Sequence, residues 1–231
     1  TQDSTGTVLE EHPVPAAPAA AVAALLPHFT GTIDQIPPMY SALKVDGKKL
    51  CDLARAGKEV ERKARRVQIL EISILNMELP RVSIRVTCSK GTYIRTLCDD
   101  IGRELGTGGC MEHLLRTRVD RFLVEDSLKL DEIEQLRDMD GLEEKIYTVE
   151  EALEAYPAVY TLPEGDKNLK NGNPCFRQQL DLLRDGVPEI WEDGDRFRFY
   201  NSEGRFKGVY QYQEEKHWWK PWKMFDLDPD T

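Results

Sequence analysis

The chain has 231 residues, 40% of them hydrophobic and 31% charged, an ordinary balance for one large or two modest globular domains. No apolar run is long enough to cross a bilayer, and Thr1-Gln2-Asp3-Ser4-Thr5-Gly6 has no basic region leading into an apolar stretch, so no signal peptide is expected in it. The absence of an initiator Met fits a fragment or a processed chain. Net charge is −10 but uneven: residues 29–122 carry a net +5 and residues 123–231 a net −12. A polyanion is therefore expected only at the basic central block. The cysteines, at 51, 88, 98, 110 and 175, are odd in number and form no C-x-x-C pair. That argues against a disulfide framework or a four-cysteine zinc site, and leaves reduced thiols of a cytoplasmic protein as the expectation.

In chain order, the prolines of residues 13–20 oppose helix before Pro18, and Ala19 to Leu26 predicts a short helix ending at Pro27. Residues 29–47 read as a loop, with extended backbone at Ile36-Pro37-Pro38 and a turn at Asp46-Gly47. Residues 48–56 predict a short helix with Leu50, Leu53 and Ala54 on one face and Gly57 as its stop. Val67 to Leu75 predicts a strand whose apolar parity changes partway, which a bulge near Leu70–Glu71 would reconcile. Residues 82–88 alternate cleanly and predict a strand with one buried face. After the turn Ser89-Lys90-Gly91-Thr92, the spacing of Ile94, Leu97, Cys98, Ile101 and Leu105 predicts a helix that Gly106 ends. Met111, Leu114 and Leu115 suggest a further short helix. Thr148 and Glu151 form a capping box opening another, stopped by Pro157. Residues 140–157 read as a boundary region. From Ala158 onward, Asn171-Gly172, Asp185-Gly186, Asp193-Gly194 and Glu203-Gly204 separate short aromatic-rich runs, predicting a small all-β module.

These patterns give an architecture and no chemistry. There is no Gly-rich phosphate loop, no H-E-x-x-H, no G-x-S-x-G and no Cys/His cluster. The histidines at 12, 28, 113 and 217 are scattered. Three segments say more. The first runs Phe29-Thr30-Gly31, then Gln35-Ile36-Pro37-Pro38-Met39-Tyr40-Ser41-Ala42-Leu43-Lys44, then Gly47, Leu50, Leu53-Ala54-Arg55 and Gly57. The second is Ser89-Lys90-Gly91-Thr92-Tyr93-Ile94-Arg95-Thr96-Leu97, then Asp100-Ile101-Gly102 and Leu105-Gly106. The third is Leu114-Leu115-Arg116-Thr117. In content and order they resemble the F-x-G…Q-x-P-P-x-Y-S-A-x-K…L-x-x-A-R-x-G, S-K-G-T-Y-I-R-T-L…D-x-G…L-G and L-R-R-T blocks of TruB-type pseudouridine synthases. Thr1 to Gly6 resembles the tail of that family's T-D-T-x-D-x-x-G stretch. The likeness is strong over residues 1–125 and weak from 158 to the end.

The resemblance implies an α+β fold: a mixed, largely antiparallel sheet with flanking helices over residues 1–150, and a PUA-like RNA-binding β module over 158–231. It implies conversion of one uridine in the T-arm of tRNA, position 55, to pseudouridine by base flipping, glycosidic cleavage and carbon–carbon rejoining, without metal or organic cofactor. Matched onto the motifs, Arg95 would ion-pair the catalytic aspartate, and Tyr93 would contact the flipped base. Leu114, Lys90, Tyr40 and Lys44 would contact substrate. Lys48, Lys49, Arg55, Arg65, Arg66 and Arg116 would bind RNA, the first five from an insertion at about 29–66 that grips the T-arm. From the residues alone, Arg95 could instead make a surface pair with Asp99, and Tyr93 and Leu114 could be core residues. Trp218, Trp219 and Trp222 could stack on bases or close the module's core.

The family's nucleophilic aspartate lies in a G-x-L-D-P-x-A-x-G type segment, a pattern these residues do not contain. Asp3, Asp34, Asp99 and Asp100 lie elsewhere in the motif order. The chain alone is thus expected to be inactive, with a complementing N-terminal segment as a partner and a monomer once intact. Cys51 stands where the family often has Tyr, and Leu115 where it usually has Arg. The alternatives are a non-catalytic RNA-binding protein and an RNA-guided synthase subunit acting on rRNA.

Overall fold

The computed structural model describes residues 1–14, 18–184 and 186–225. Part of the Pro/Ala stretch, Asp185 of one turn dipeptide and the last six residues of the C-terminal module lie outside the described residues. The chain divides into two compact units, Thr1–Asp126 and Ser127–Thr231. Among the described residues no helix is long and apolar enough to cross a membrane.

The first unit opens with helix α1 (Pro18–Leu25), and a 3-10 turn (Leu26–Phe29) carries it through Pro27. Strand β1 (Gly31–Gln35) follows, inside the region read from sequence as loop. The local signal there is weak, and the strand exists because its backbone pairs with a long strand far along the chain. A hairpin of β2 (Lys44–Val45) and β3 (Lys48–Lys49) turns on Asp46-Gly47, both at positive φ (49° and 79°), as a two-residue type I′ turn requires. The predicted 48–56 helix therefore starts only at Leu50: α2 (Leu50–Arg55) ends at Ala56, and Gly57, at φ 68°, stops it.

Strand β4 (Arg65–Glu78) pairs antiparallel with β1 on one side and with β5 (Arg81–Cys88) on the other. Its register slips between Ile69 and Glu71, where the bulge was expected, and again between Ile74 and Asn76. The two slips keep Ile69, Ile72, Ile74 and Met77 in step, opposite Cys88, Val86, Ile84 and Val82. Leu70 and Leu75, the residues left over at the slips, are exposed. Helix α3 (Ile94–Glu104) lays its apolar stripe on this face, and Leu97 and Ile101 pack with Ile69 and with Val22 and Leu26 of the first helical segment. The helix suggested at Met111–Leu115 does not form. Met111 donates its N–H to Gln2 O and accepts from Ser4 N–H, a parallel bridge that holds this segment extended. The unit ends with the small hairpin β6 (Arg118–Val119) and β7 (Phe122–Leu123).

The second unit begins with helix α4 (Leu130–Asp138), for which no signal was read, and α5 (Val149–Ala152). Thr148 and Glu151 do form the capping box, but α5 is a single turn and does not run to Pro157. Leu153 and Tyr156 leave helical geometry to pack beside Tyr200, Phe206 and Val209. Five strands make the unit's sheet: β8 (Ala158–Tyr160), β9 (Cys175–Phe176), β10 (Arg196–Tyr200), β11 (Phe206–Gln213) and β12 (Trp218–Met224), with helix α6 (Pro163–Lys170) between β8 and β9. The sheet order is β8-β10-β11-β12-β9, antiparallel except for β8 against β10. The module is thus a β sheet with one helix and not all β. Phe197, Phe199, Tyr210, Tyr212 and Trp219 form its aromatic core. Trp219, 1% exposed, closes that core and is unavailable for base stacking. Trp218 sits half-buried with Lys216 over its ring, and Trp222 is exposed with the Arg196 guanidinium 4.0 Å from its ring centre.

Candidate functional site

In the first unit, the sequence blocks that carry chemistry meet at the N-terminal end of α3. The turn before it is closed twice at Ser89. The Ser89 N–H donates to Gln68 O at 2.8 Å, and its hydroxyl accepts from Gln68 N–H at 2.9 Å. Thr92 Oγ1 donates back to Ser89 O at 2.9 Å, and Gly91, at φ 86°, supplies the left-handed step between them. Lys90 stands exposed in this turn. Tyr93 is the cap residue of α3 and makes no side-chain cap of its own. Buried Gln35, at the end of β1, holds it instead: the Tyr93 N–H donates to Gln35 Oε1 at 2.8 Å, and Gln35 Nε2 donates to Tyr93 O at 3.0 Å.

Arg95 is the second residue of α3 and half-buried. A cation in the first turn opposes the helix dipole, so its guanidinium must find its own partners. Nη2 donates to the backbone carbonyl of Tyr40 at 2.8 Å, across 55 residues of sequence. The surface pair with Asp99 does not form. Asp99 is taken by Arg103 one turn on, at 2.6 Å, and by the Gln2 amide at 2.7 Å. Gln2 lies at φ 62°, and its side chain also accepts from the buried Thr96 hydroxyl at 3.0 Å. This pins the N-terminal stretch onto α3 and sets Asp3 beside Met111. Hydrogen bonds from the Thr5 N–H at 3.0 Å and the Thr5 hydroxyl at 2.7 Å hold the Asp3 carboxyl below its usual range, and the field of Arg95 adds to them. Asp100, further along α3, is pushed the other way by burial and by neighbouring Asp99.

The remaining predicted positions scatter around this centre. Tyr40 is 39% exposed beside the buried Pro37, Pro38 and Ser41. Lys44, Lys48 and Lys49 of the hairpin, all exposed, line a shallow cavity of about 550 Å³ with Asp52 of α2 and Lys58 just beyond that helix. No ion pair engages these four lysines among the described residues. Arg55 pairs with Asp52 at 3.5 Å and Arg66 with Asp34 at 3.7 Å, both exposed pairs worth little energy. Arg65 faces Gln35 across the β1–β4 ladder. Leu114, Leu115 and Arg116 are exposed on the extended segment after Met111. The sequence reading missed Gln35 and Gln2. Gln35 had a signal, since it shares the parity of Ile33 on an apolar face. Gln2 had none, because its role depends on a bridge to residue 111.

In fold, the chain matches a chain in the crystal structure of a Cbf5-Nop10-Gar1 complex with a TM-score of 0.66 at 22% identity, covering 94% of this chain and 64% of that one. A chain in an H/ACA RNP bound to a substrate RNA containing 2'-deoxyuridine matches with the same TM-score at 19% identity. The chain therefore shares the fold of these chains. Residues 1–94 match the model of the TruB family pseudouridylate synthase N-terminal domain, and residues 95–154 that of the tRNA pseudouridylate synthase B C-terminal domain. The tRNA pseudouridine synthase B of Clostridium acetobutylicum is 39% identical over 215 residues, which is 93% of this chain and 70% of that protein. That of Lachnoclostridium phytofermentans is 44% identical over 207 residues, 85% of this chain and 66% of that protein. The chain belongs to the TruB family of pseudouridine synthases. It spans about two thirds of the length of these relatives.

Proposed function

We propose that the protein isomerises a uridine in the T-arm of tRNA, position 55, to pseudouridine, and that Arg95 is the arginine of the reaction. The observation that carries this is the convergence on Arg95: the helix that bears it, the Tyr40 carbonyl it binds and the Asp3 stretch come from three separate family blocks. A guanidinium has five donors, and one is committed to Tyr40 here. The others suit a carboxylate, which an adjacent cation keeps ionised and oriented for attack. The family's aspartate in its G-x-L-D-P-x-A-x-G segment is that carboxylate. The target uridine leaves the RNA stack, at a cost of a few kcal/mol that pocket contacts offset. Tyr93 meets the flipped base, and Leu114, Lys90, Tyr40 and Lys44 line its approach. Lys48, Lys49, Arg55, Arg65, Arg66 and Arg116 hold phosphates of a folded RNA read by shape. The relatives' shared designation as tRNA pseudouridine synthase B supports tRNA as the substrate.

The test is release of tritium from tRNA carrying 5-tritiated uridine, by this 231-residue chain and by the full product of its gene. Release by the full product alone, lost in Arg95→Ala by about 100-fold or more, the scale of losing the group that orients the reacting carboxylate, is the expected result. Release by the chain alone would place the nucleophile among these residues and overturn the assignment. RNA binding without release by the full product would favour a non-catalytic binder.

A further inference from the structure

Gln35 is 1% exposed, and both polar atoms of its side chain are spent on one residue 58 positions away, the backbone N–H and carbonyl of Tyr93. An amide that accepts from and donates to the same residue copies what a neighbouring strand would supply, at a point where the sheet has ended and α3 has not begun. The Tyr93 carbonyl also accepts the first helical bond, from Leu97 N–H at 3.0 Å, so α3 starts from a residue held on both sides. Gln35 also ends β1, opposite Arg65, and the chain between these two, residues 36–64, leaves the sheet and returns. That excursion carries Tyr40, whose carbonyl receives Arg95. Two ties therefore cross one gap. Gln35 pins the base of the excursion to Tyr93, and Arg95, two residues on, lands on the excursion itself.

We propose that Gln35 is a positioning residue for the reaction: its amide sets the backbone of Tyr93, and through it the direction of the Arg95 guanidinium and the Tyr93 ring. This rests on the reading of Arg95 as the arginine of pseudouridine formation. Gln35 touches neither base nor ribose in this account. It acts through the frame of α3, and a part-buried Tyr93 N–H left without its acceptor would move to find another.

The test compares the full gene product with Gln35→Met and Gln35→Leu, which both keep an apolar side chain of similar volume and lose the acceptor and the donor together. Tritium release is measured against tRNA concentration, and hydrogen exchange is followed at Tyr93 to Arg95 with the β4–β5 ladder as internal reference. The expected result is a fall in kcat of about 10- to 100-fold, the scale of a small misplacement at a reacting centre, with KM for tRNA changed less than about 3-fold because the phosphate contacts are untouched. Exchange at Tyr93 should rise at least about 10-fold while the β4–β5 amides keep their protection, as local opening predicts. Unchanged exchange at Tyr93, or faster exchange with kcat intact, would overturn the proposal. A variant that unfolds shows itself by loss of protection in the reference ladder, and the other variant then decides. If the wild-type protein releases no tritium, the functional reading falls by itself, and exchange at Tyr93 and Arg95 still shows whether Gln35 sets the start of α3.

Discussion

Asp166, on α6, shows what one buried-facing carboxylate contributes. Its oxygens accept from Thr161 Oγ1 at 2.6 Å, Ser202 N–H at 2.9 Å and Ser202 Oγ at 2.6 Å, tying the helix to the end of β8 and to the turn after β10. Burial alone would raise its pKa. The hydrogen bonds from Ser202 and Thr161 outweigh that and hold it below the usual carboxylate range. A depressed folded pKa means the stabilisation is fully present above the ordinary carboxylate range and is lost as pH falls through the folded value. Asp166→Asn is expected to cost about 2 kcal/mol near neutral pH, the size of hydrogen bonds to a charged group. Thermal unfolding of both proteins from pH 7 to pH 3 should show the gap closing as the wild type loses the same charge. A gap that stays constant with pH would show that the carboxylate's charge is not what the three donors recognise. The cysteines are simpler: burial pushes Cys98 up to about 11 and Cys175 up to about 12, so both remain thiols at neutral pH.

At the scale of an element, α3 and the loop after it are joined through glycine. A Cβ on Gly102 would overlap the backbone of Gly108 and Gly109, and one on Gly109 would lie 2.5 Å from the Cys98 carbonyl. This close approach turns the chain back along α3 and delivers Met111 to Gln2 and Ser4. In a solvent-facing helix Gly→Ala stabilises by about 1 kcal/mol. Here overpacking, at about 1–3 kcal/mol, opposes that gain and wins. Gly102→Ala should therefore lower the melting temperature by several degrees and speed hydrogen exchange at Met111 and Ser4. A raised melting temperature would show that the loop gives way without cost. The helix suggested over Met111–Leu115 fails at its start: the Met111 N–H and carbonyl are already committed to Gln2 and Ser4 of the N-terminal stretch.

Over the whole chain the net charge is −10, yet Lys44 to Arg66 alone carries a net +5. Binding of tRNA should therefore depend on that stretch and weaken steeply with salt. Lys48→Ala and Lys49→Ala should each reduce the slope of log K against log salt by about 1 and weaken binding to all RNA sequences alike. Lys129→Ala and Lys145→Ala, in the acidic second unit, should leave the slope unchanged. Equal loss from both pairs would mean that the excursion between β1 and β4 is not the RNA-binding surface.

Strand alternation at 82–88, the parity change at Leu70–Glu71, the α3 stripe, the Asp46-Gly47 turn and the Thr148 cap were legible because each is a local matter of period, φ or capping. The order of the family blocks is also what put Arg95 and Tyr93 forward as site residues, the roles proposed for them above. Tertiary structure decided the rest. Strand β1 exists through its ladder to β4, Met111 is extended through its bridge to Asp3, and Trp219 is core because the sheet folds over it. Arg95 turns to Tyr40 and away from Asp99 because Gln2 and Arg103 already hold that carboxylate. Apart from the one-turn Arg103–Asp99 pair, each of these rests on a hydrogen bond or contact between residues far apart in sequence, where no local period carries a signal.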